Sequence, residues 1–222
     1  MTKLIFALHA ADLDSTLRAE GLRSRLAAAG ADQLQVNLDD AEVAGAALRF
    51  GPGTPITAVL GVWTSGEVDP VVAVVTDLDP TADGWQVEER RPLVPPVVPD
   101  GVRADALANV AFLRRPGSMT AEEWRSDWLD RHTTIAIETQ GTFGYVQNPV
   151  VRAVTPDAPP VAGIVEELFP MAAMADSHAF YGSGGDQAEL DRRLTRLMDS
   201  VARFGADKDL DLVPSSRYVW RL

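Results

Sequence analysis

Pro92-Leu-Val-Pro-Pro-Val-Val-Pro-Asp-Gly101 places four prolines in ten residues near the middle of a 222-residue chain. Proline fixes φ and removes a backbone donor, so such a run reads as a stiff, extended connection. It divides the chain into residues 1–91 and 105–222, with 92–104 as linker. Each part is about the size of one small unit.

Working outward, the two halves show the same order of elements. After the linker, Leu107–Leu113 is an apolar strand pattern. Thr120 with Glu123 three residues on forms a capping box, which opens a helix running to about Thr139. Phe143–Val154 is rich in β-formers, with a turn expected at Asn148-Pro149. Val161–Phe169 reads as a strand and Met171–Tyr181 as a short helix. Gln187–Phe204 is strongly helical, and Arg217–Leu222 closes as a strand. Before the linker, Leu4–Leu8 is followed by a helix over about Ser15–Ala29, with Ser15 as N-cap and Gly30 as the C′ residue. Strands follow at Gln33–Leu38 and Thr57–Trp63. Val71–Val75 fits either a strand or a buried helix, and Trp85–Leu93 is a last strand.

The order β-α-β-β-α-β in each half is the split βαβ, ferredoxin-like plan. A sheet of that kind has helices on one face and needs a partner for the other. The expected fold class is therefore α+β, with tandem repeats packing their open faces into one intrachain barrel around a central cavity. Cavities of this kind suit small apolar ligands.

Composition narrows the function classes. Net charge is −12, shared as −7 over residues 1–104 and −5 over 105–222. Basic residues cluster only as pairs (Arg90-Arg91, Arg114-Arg115, Arg192-Arg193), so no phosphate-neutralising face for nucleic acid is expected. The chain has no cysteine and three histidines, His9, His132 and His178, which argues against disulfides, thiol chemistry and a structural zinc. No apolar window is long enough to span a membrane. The start, Met1–His9, is too short and too soon followed by Asp12 and Asp14 for a secretory signal, so a cytoplasmic location is expected. There is no dinucleotide fingerprint, no Walker-type lysine and no Gly-x-Ser-x-Gly.

The segment Phe112-Leu-Arg-Arg-Pro-Gly-Ser-Met-Thr-Ala-Glu-Glu-Trp-Arg-Ser-Asp-Trp-Leu-Asp-Arg-His132 resembles the opening of EthD domains: a strand ending in Arg and Pro-Gly, then a helix carrying aromatic, aromatic and His at four-residue steps. Here those positions are Trp124, Trp128 and His132. Gly144-Tyr145-Val146-Gln147-Asn148 is similar to that family's second strand, and Ala162–Phe169 stands where its third is expected. The resemblance covers residues 107–222. It implies a dimeric α/β-barrel, usually built from two chains, and chemistry that includes cyclisation, dehydration, isomerisation and cofactor-free oxygenation, with no cofactor or metal required. Residues 1–91 lack these motifs and read as a degenerate copy, so one site rather than two is expected. Pairing of two tandem-repeat chains into a homodimer is compatible with the same reading.

The candidate site residues follow. Trp124, Trp128 and His132 are separated by about 40° steps on one helix face. His132 there could act as a general acid or base, or be a core histidine tied to a backbone carbonyl. Tyr145 could donate to a substrate carbonyl or phenolate, or pack across strands. Alternation puts Asn148 on the opposite face, where it would touch substrate or serve a turn. Arg114, at a strand end bordering the expected cavity, could hold a carboxylate or enolate, or pair with Glu122, Glu123 or Asp127. Glu166 and Glu167 interrupt an apolar strand and must face opposite sides. A carboxylate facing the interior would have a raised pKa and could act as an acid or base, and Glu166 is the candidate that touches substrate; the alternative pairs one of the two with an arginine such as Arg217 and leaves the other solvated. The reading is a cofactor-independent enzyme, with His132, Tyr145 and Arg114 catalytic and Trp124, Trp128, Asn148 and Glu166 binding substrate. The alternative is a non-catalytic binding or accessory protein of an oxidative degradation system.

Overall fold

The computed structural model describes residues 1–222. The first half contributes strands β1 (Thr2–Leu8), β2 (Ala31–Leu38), β3 (Ala58–Thr64), β4 (Asp83–Val87) and β5 (Arg90–Leu93). The second contributes β6 (Leu107–Leu113), β7 (Gly144–Ala153), β8 (Gly163–Phe169) and β9 (Asp211–Arg221). They form one antiparallel sheet in the order β4-β1-β3-β2-β9-β6-β8-β7-β5, and β4 also pairs with β7. Eight strands therefore close into a barrel, and the short β5 continues β4 along the same neighbour. Within each half the order is fourth, first, third, second. The seams are β2 against β9 and β4 with β5 against β7.

Helices cover the outside. The first half carries α1 (Asp14–Arg18), α2 (Glu20–Ala28) and α3 (Val68–Leu78). The helix expected over Ser15–Ala29 is broken at Ala19, whose ψ of 150° is extended, and the residue before α1 is Leu13, with no side-chain cap. Ser15 lies inside α1, so its expected N-cap role is corrected. Gly30 has the positive φ, 88°, expected at C′. Val71–Val75 belongs to α3: Val71 and Val75 are fully buried at helical spacing, which settles helix over strand.

The second half carries α4 (Ala121–Ser126), a π-helical turn (Asp127–His132), α5 (Thr133–Thr139), α6 (Ser177–Tyr181) and α7 (Gln187–Arg203). The capping box forms: Glu123 N donates to Thr120 Oγ1 at 3.2 Å, and Thr120 N donates to Glu123 Oε2 at 2.8 Å. No helix is long and apolar enough to cross a membrane.

Alternation divides the sheet's side chains. Ile5, Val59, Trp85, Val110, Phe112 and Ile164 point inward and fill the middle of the barrel. The central cavity expected from the sequence is thus closed by packing. Outward-facing Leu4, Phe6, Leu34, Leu60 and Val62 pack under the first half's helices with Leu17, Leu22 and Val75 in a continuous apolar core. Each fully buried side chain of this type contributes about 1.5–3 kcal/mol. The Asn148-Pro149 turn does not occur. Both residues sit inside β7, Asn148 fully buried, and the Pro149 carbonyl accepts from Glu88 N, between β4 and β5, at 2.9 Å. The missing proline N–H falls where the partner strand is interrupted, so no ladder bond is lost.

Candidate functional site

The second half's outer face differs from the first in one row of side chains. Asn109 on β6, Glu167 on β8 and Tyr145 on β7 are cross-strand neighbours. The corresponding row of the first half is Leu4, Val62 and Leu34. Where the first half is sealed by apolar packing, the second leaves a cavity of about 300 Å³ between its sheet and helices. Sixteen of its twenty-one lining residues are apolar, and its polar groups come from the sheet row and from His132, Gln140 and Asp207. A closing edge comes from the first half: Leu48 and Phe50 reach across, and Phe50 and Leu212 exchange backbone hydrogen bonds at 3.2 and 2.8 Å.

Trp124 and Trp128 line up on the helix side with ring centroids 4.9 Å apart. Trp124 Nε1 donates to Phe204 O at 3.0 Å, tying α4 to the end of α7. Gly163 on β8 admits the Trp128 ring, because a Cβ there would collide with its Cη2 and Cζ3. His132, 7% exposed, ends the π turn. Its Nδ1 lies 3.0 Å from Ser200 Oγ, and its ring meets Phe204 edge-on at 4.9 Å. Burial, with Arg203 adding repulsion, pulls its pKa down to about 4, so it is neutral at physiological pH.

The raised pKa expected for the inward-facing member of the Glu166-Glu167 pair belongs instead to the outward-facing Glu167. Removal from water pushes its pKa up to about 8. The Gln140 side-chain amide, with its nitrogen turned toward the carboxyl, donates to Glu167 Oε1 at 3.1 Å and to Ala136 O at 3.2 Å. Tyr145, 1% exposed, is held protonated by burial and by the neighbouring Glu167 charge, against a smaller opposing pull from Trp128 and Gln147. Asn109 is 2% exposed and its Oδ1 has no hydrogen-bond partner, although it lines the cavity. An acid whose pKa lies near working pH, a fixed hydroxyl donor and an unused acceptor therefore face one apolar space.

The other expected site residues lie elsewhere. Asn148 and Glu166 face the barrel interior, across the sheet from His132 and Tyr145. Glu166 accepts from Lys3 Nζ at 2.5 Å, from Asn148 Nδ2 at 2.9 Å and from Gln35. Its pKa is held down at about 2, although burial alone would raise it: Lys3, Arg217 and Gln35 together outweigh desolvation. Arg114 stands at a barrel end and pairs with Asp211 at 2.7 Å, not with Glu122, Glu123 or Asp127. His9 bonds Asp83 at 3.1 Å, and His178 Nδ1 lies 2.6 Å from Ser183 Oγ. No three His, Asp or Glu side chains converge as metal ligands.

The signal that could have singled out Glu167 was the pair Glu166-Glu167 itself. Alternation separated the two faces, and only the positions of Lys3 and the helices decide which carboxyl is paired and which is dry.

No family model matches the chain, and no curated protein does. Solved structures do. The chain is similar to a candidate monooxygenase from Lactobacillus acidophilus at 11% identity and a TM-score of 0.52, covering 99% of this chain and 95% of that one. It is similar to an anthrone oxidase-like protein at 13% identity and a TM-score of 0.56, covering 99% and 92%. A candidate monooxygenase from Fusobacterium nucleatum matches at 6% identity and a TM-score of 0.53, covering 99% and 93%. At these identities the likeness concerns the fold: the chain is an α+β protein whose single polypeptide builds the barrel of the dimeric α/β-barrel type.

Proposed function

We propose that the protein is an EthD-like, cofactor-independent enzyme that transfers a proton on a small apolar molecule bearing a carbonyl or phenol, bound between the second half's sheet and helices. The observation that carries this reading is the Glu167 carboxyl, with its pKa near 8, in a mostly apolar cavity beside Tyr145. A general base works best when its pKa lies close to the operating pH, because it is then both available and strong enough to take a proton.

In this reading the ionised Glu167 takes a proton from an acidic C–H or O–H of the ligand. Tyr145 donates its hydrogen to the oxygen on which negative charge develops, and Asn109 Oδ1 accepts from a ligand hydroxyl. A fixed donor at a developing oxyanion in a dry site is commonly worth about 3–4 kcal/mol of barrier. His132 stays neutral and fixes the helix wall through Ser200 and Phe204, as a positioning residue. Trp128 supplies a flat apolar wall. The fate of the resulting enolate or phenolate (elimination, ring closure, isomerisation or reaction with dioxygen) is set by the ligand. The descriptions of the similar structures as candidate monooxygenases and an anthrone oxidase-like protein favour an oxidative outcome.

The test is a screen of aromatic ketones and phenols in air, with product analysis, on wild type, Glu167→Gln and Tyr145→Phe. Binding by all three with turnover reduced about 10²–10⁴-fold in Glu167→Gln is expected. Full turnover by folded Glu167→Gln overturns the assignment, and binding with no turnover by wild type overturns catalysis in favour of a carrier.

A further inference from the structure

We propose that the barrel end beside Lys3 is a second binding site, separate from the Glu167 pocket, that takes a small organic carboxylate. A cavity of about 180 Å³ opens there. Its floor is an inward-facing polar cluster, and its lip is the proline-rich segment, with Pro95, Val97 and Val98 among the lining residues. The segment expected only to connect the halves thus lies across the barrel's mouth. The Glu167 pocket lies on the other side of the barrel wall, since Val146 and Glu166 face inward where Tyr145 and Glu167 face outward.

The charges at this end are unevenly committed. Lys3, 3% exposed, is shared between Glu89 at 2.9 Å and Glu166 at 2.5 Å, and its ammonium lies 4.6 Å from the centroid of the Trp63 ring. Glu89 is held further by Arg91 at 2.8 Å and by Trp63 Nε1 at 3.3 Å. Lys3 and Arg91 thus supply the close ion pairs of both inner carboxylates, and Arg217 acts on Glu166 only through space, without a direct contact.

Arg217 donates from Nε to Gln35 Oε1 at 3.1 Å and takes part in no ion pair, so its two terminal nitrogens have no protein partner. Both Arg217 and Gln35 line the cavity. Among the lining residues Arg91, Arg217 and Arg221 balance Glu89, Glu166 and Asp100, and the buried Lys3 beneath them adds one positive charge.

A guanidinium with its terminal nitrogens uncommitted matches a carboxylate bidentately. One surplus charge suits a monoanion. A phosphate dianion would add a second charge close to Glu89 and Glu166. Val146, Val219 and the proline-rich lip offer apolar cover for the remainder of the ligand. The volume corresponds to about six water molecules, so the ligand is small, the size of a single ring or a short chain.

The experiment is isothermal titration of the whole protein at pH 7 in low-chloride buffer with benzoate, hexanoate and inorganic phosphate. Wild type is expected to bind benzoate or hexanoate with Kd below about 1 mM, and phosphate at least about tenfold more weakly. Arg217→Lys keeps the charge but loses the fork, and should weaken carboxylate binding by about tenfold or more. Val98→Trp, at the lip and away from the polar floor, should fill the space and abolish binding even if the Arg217 variant folds poorly. Glu167→Gln should bind as wild type does, which separates this site from the reading of the other pocket. No carboxylate binding by wild type, phosphate binding of equal strength, or wild-type affinity in folded Val98→Trp would each overturn the proposal.

Discussion

Replacing Glu167 by Gln should make the protein more stable in alkali and leave it nearly unchanged in acid. The carboxyl's pKa is 4.5 when unperturbed and about 8 in the folded protein. Below 4.5 both folded and unfolded chains carry the proton and the group contributes no penalty. Between 4.5 and 8 the unfolded chain releases it while the folded one keeps it, so stability falls as pH rises and levels off above about 8. At about 1.36 kcal/mol per pH unit the full interval amounts to about 5 kcal/mol. The carboxyl is only partly buried and has the Gln140 amide beside it, which reduces the expected difference to about 2–4 kcal/mol. Glutamine keeps the shape and cannot ionise. Urea denaturation of both proteins from pH 4 to pH 9 gives the difference directly, and every other titrating group cancels between them. A difference that grows with pH and saturates near 8 is expected. A difference that is flat across the range would refute the argument that Glu167 occupies a dry environment.

Three further outcomes follow from the packing. His132 is the opposite case: its folded pKa of about 4 lies below the ordinary 6.5, so its contribution is present above 6.5 and lost as pH falls through 4, and wild type should lose about 3 kcal/mol relative to His132→Gln between pH 7 and pH 4 in urea titrations. Gly163→Ala drives a methyl into the Trp128 ring and should lower stability by about 1–3 kcal/mol, with changed tryptophan emission as a second readout. Lys3→Met strands Glu89 and Glu166 without their shared cation and should cost about 3–5 kcal/mol at neutral pH, part of which Glu166→Gln restores.

The barrel was legible because two local signals, one for strands and one for a helix start, stand in the sequence. The apolar runs Leu4–Leu8 and Leu107–Leu113 open each half, and the Thr120–Glu123 capping box marks a helix start without reference to anything distant. What the sequence left hidden depends on contacts between elements. Asn148-Pro149 has turn chemistry, yet β4 breaks off opposite it and makes a strand proline harmless. The π turn at Asp127–His132 leaves no mark on a four-residue aromatic spacing. The expected central cavity is filled because Trp85 and Phe112, read only as strand residues, meet inside the barrel with centroids 5.5 Å apart. Of the expected site, Trp128, His132 and Tyr145 share one pocket, with Trp124 packed against it. Arg114, Asn148 and Glu166 were assigned to the same site because an open central cavity was expected, whereas the sheet separates the latter two from the pocket and Arg114 stands at a barrel end. The choice between Glu166 and Glu167 turned on Lys3, 163 positions away.

The most direct test of the central claim is proton exchange itself. Small aromatic ketones with an acidic C–H adjacent to the carbonyl are incubated in D₂O with wild type and with Glu167→Gln, and loss of the C–H signal is followed by NMR. Wild type is expected to accelerate exchange, with a rate rising with pH through about 8 as Glu167 ionises, and Glu167→Gln to reduce it to the uncatalysed rate. Exchange at equal rates with both proteins, for ligands that bind the pocket, would contradict it.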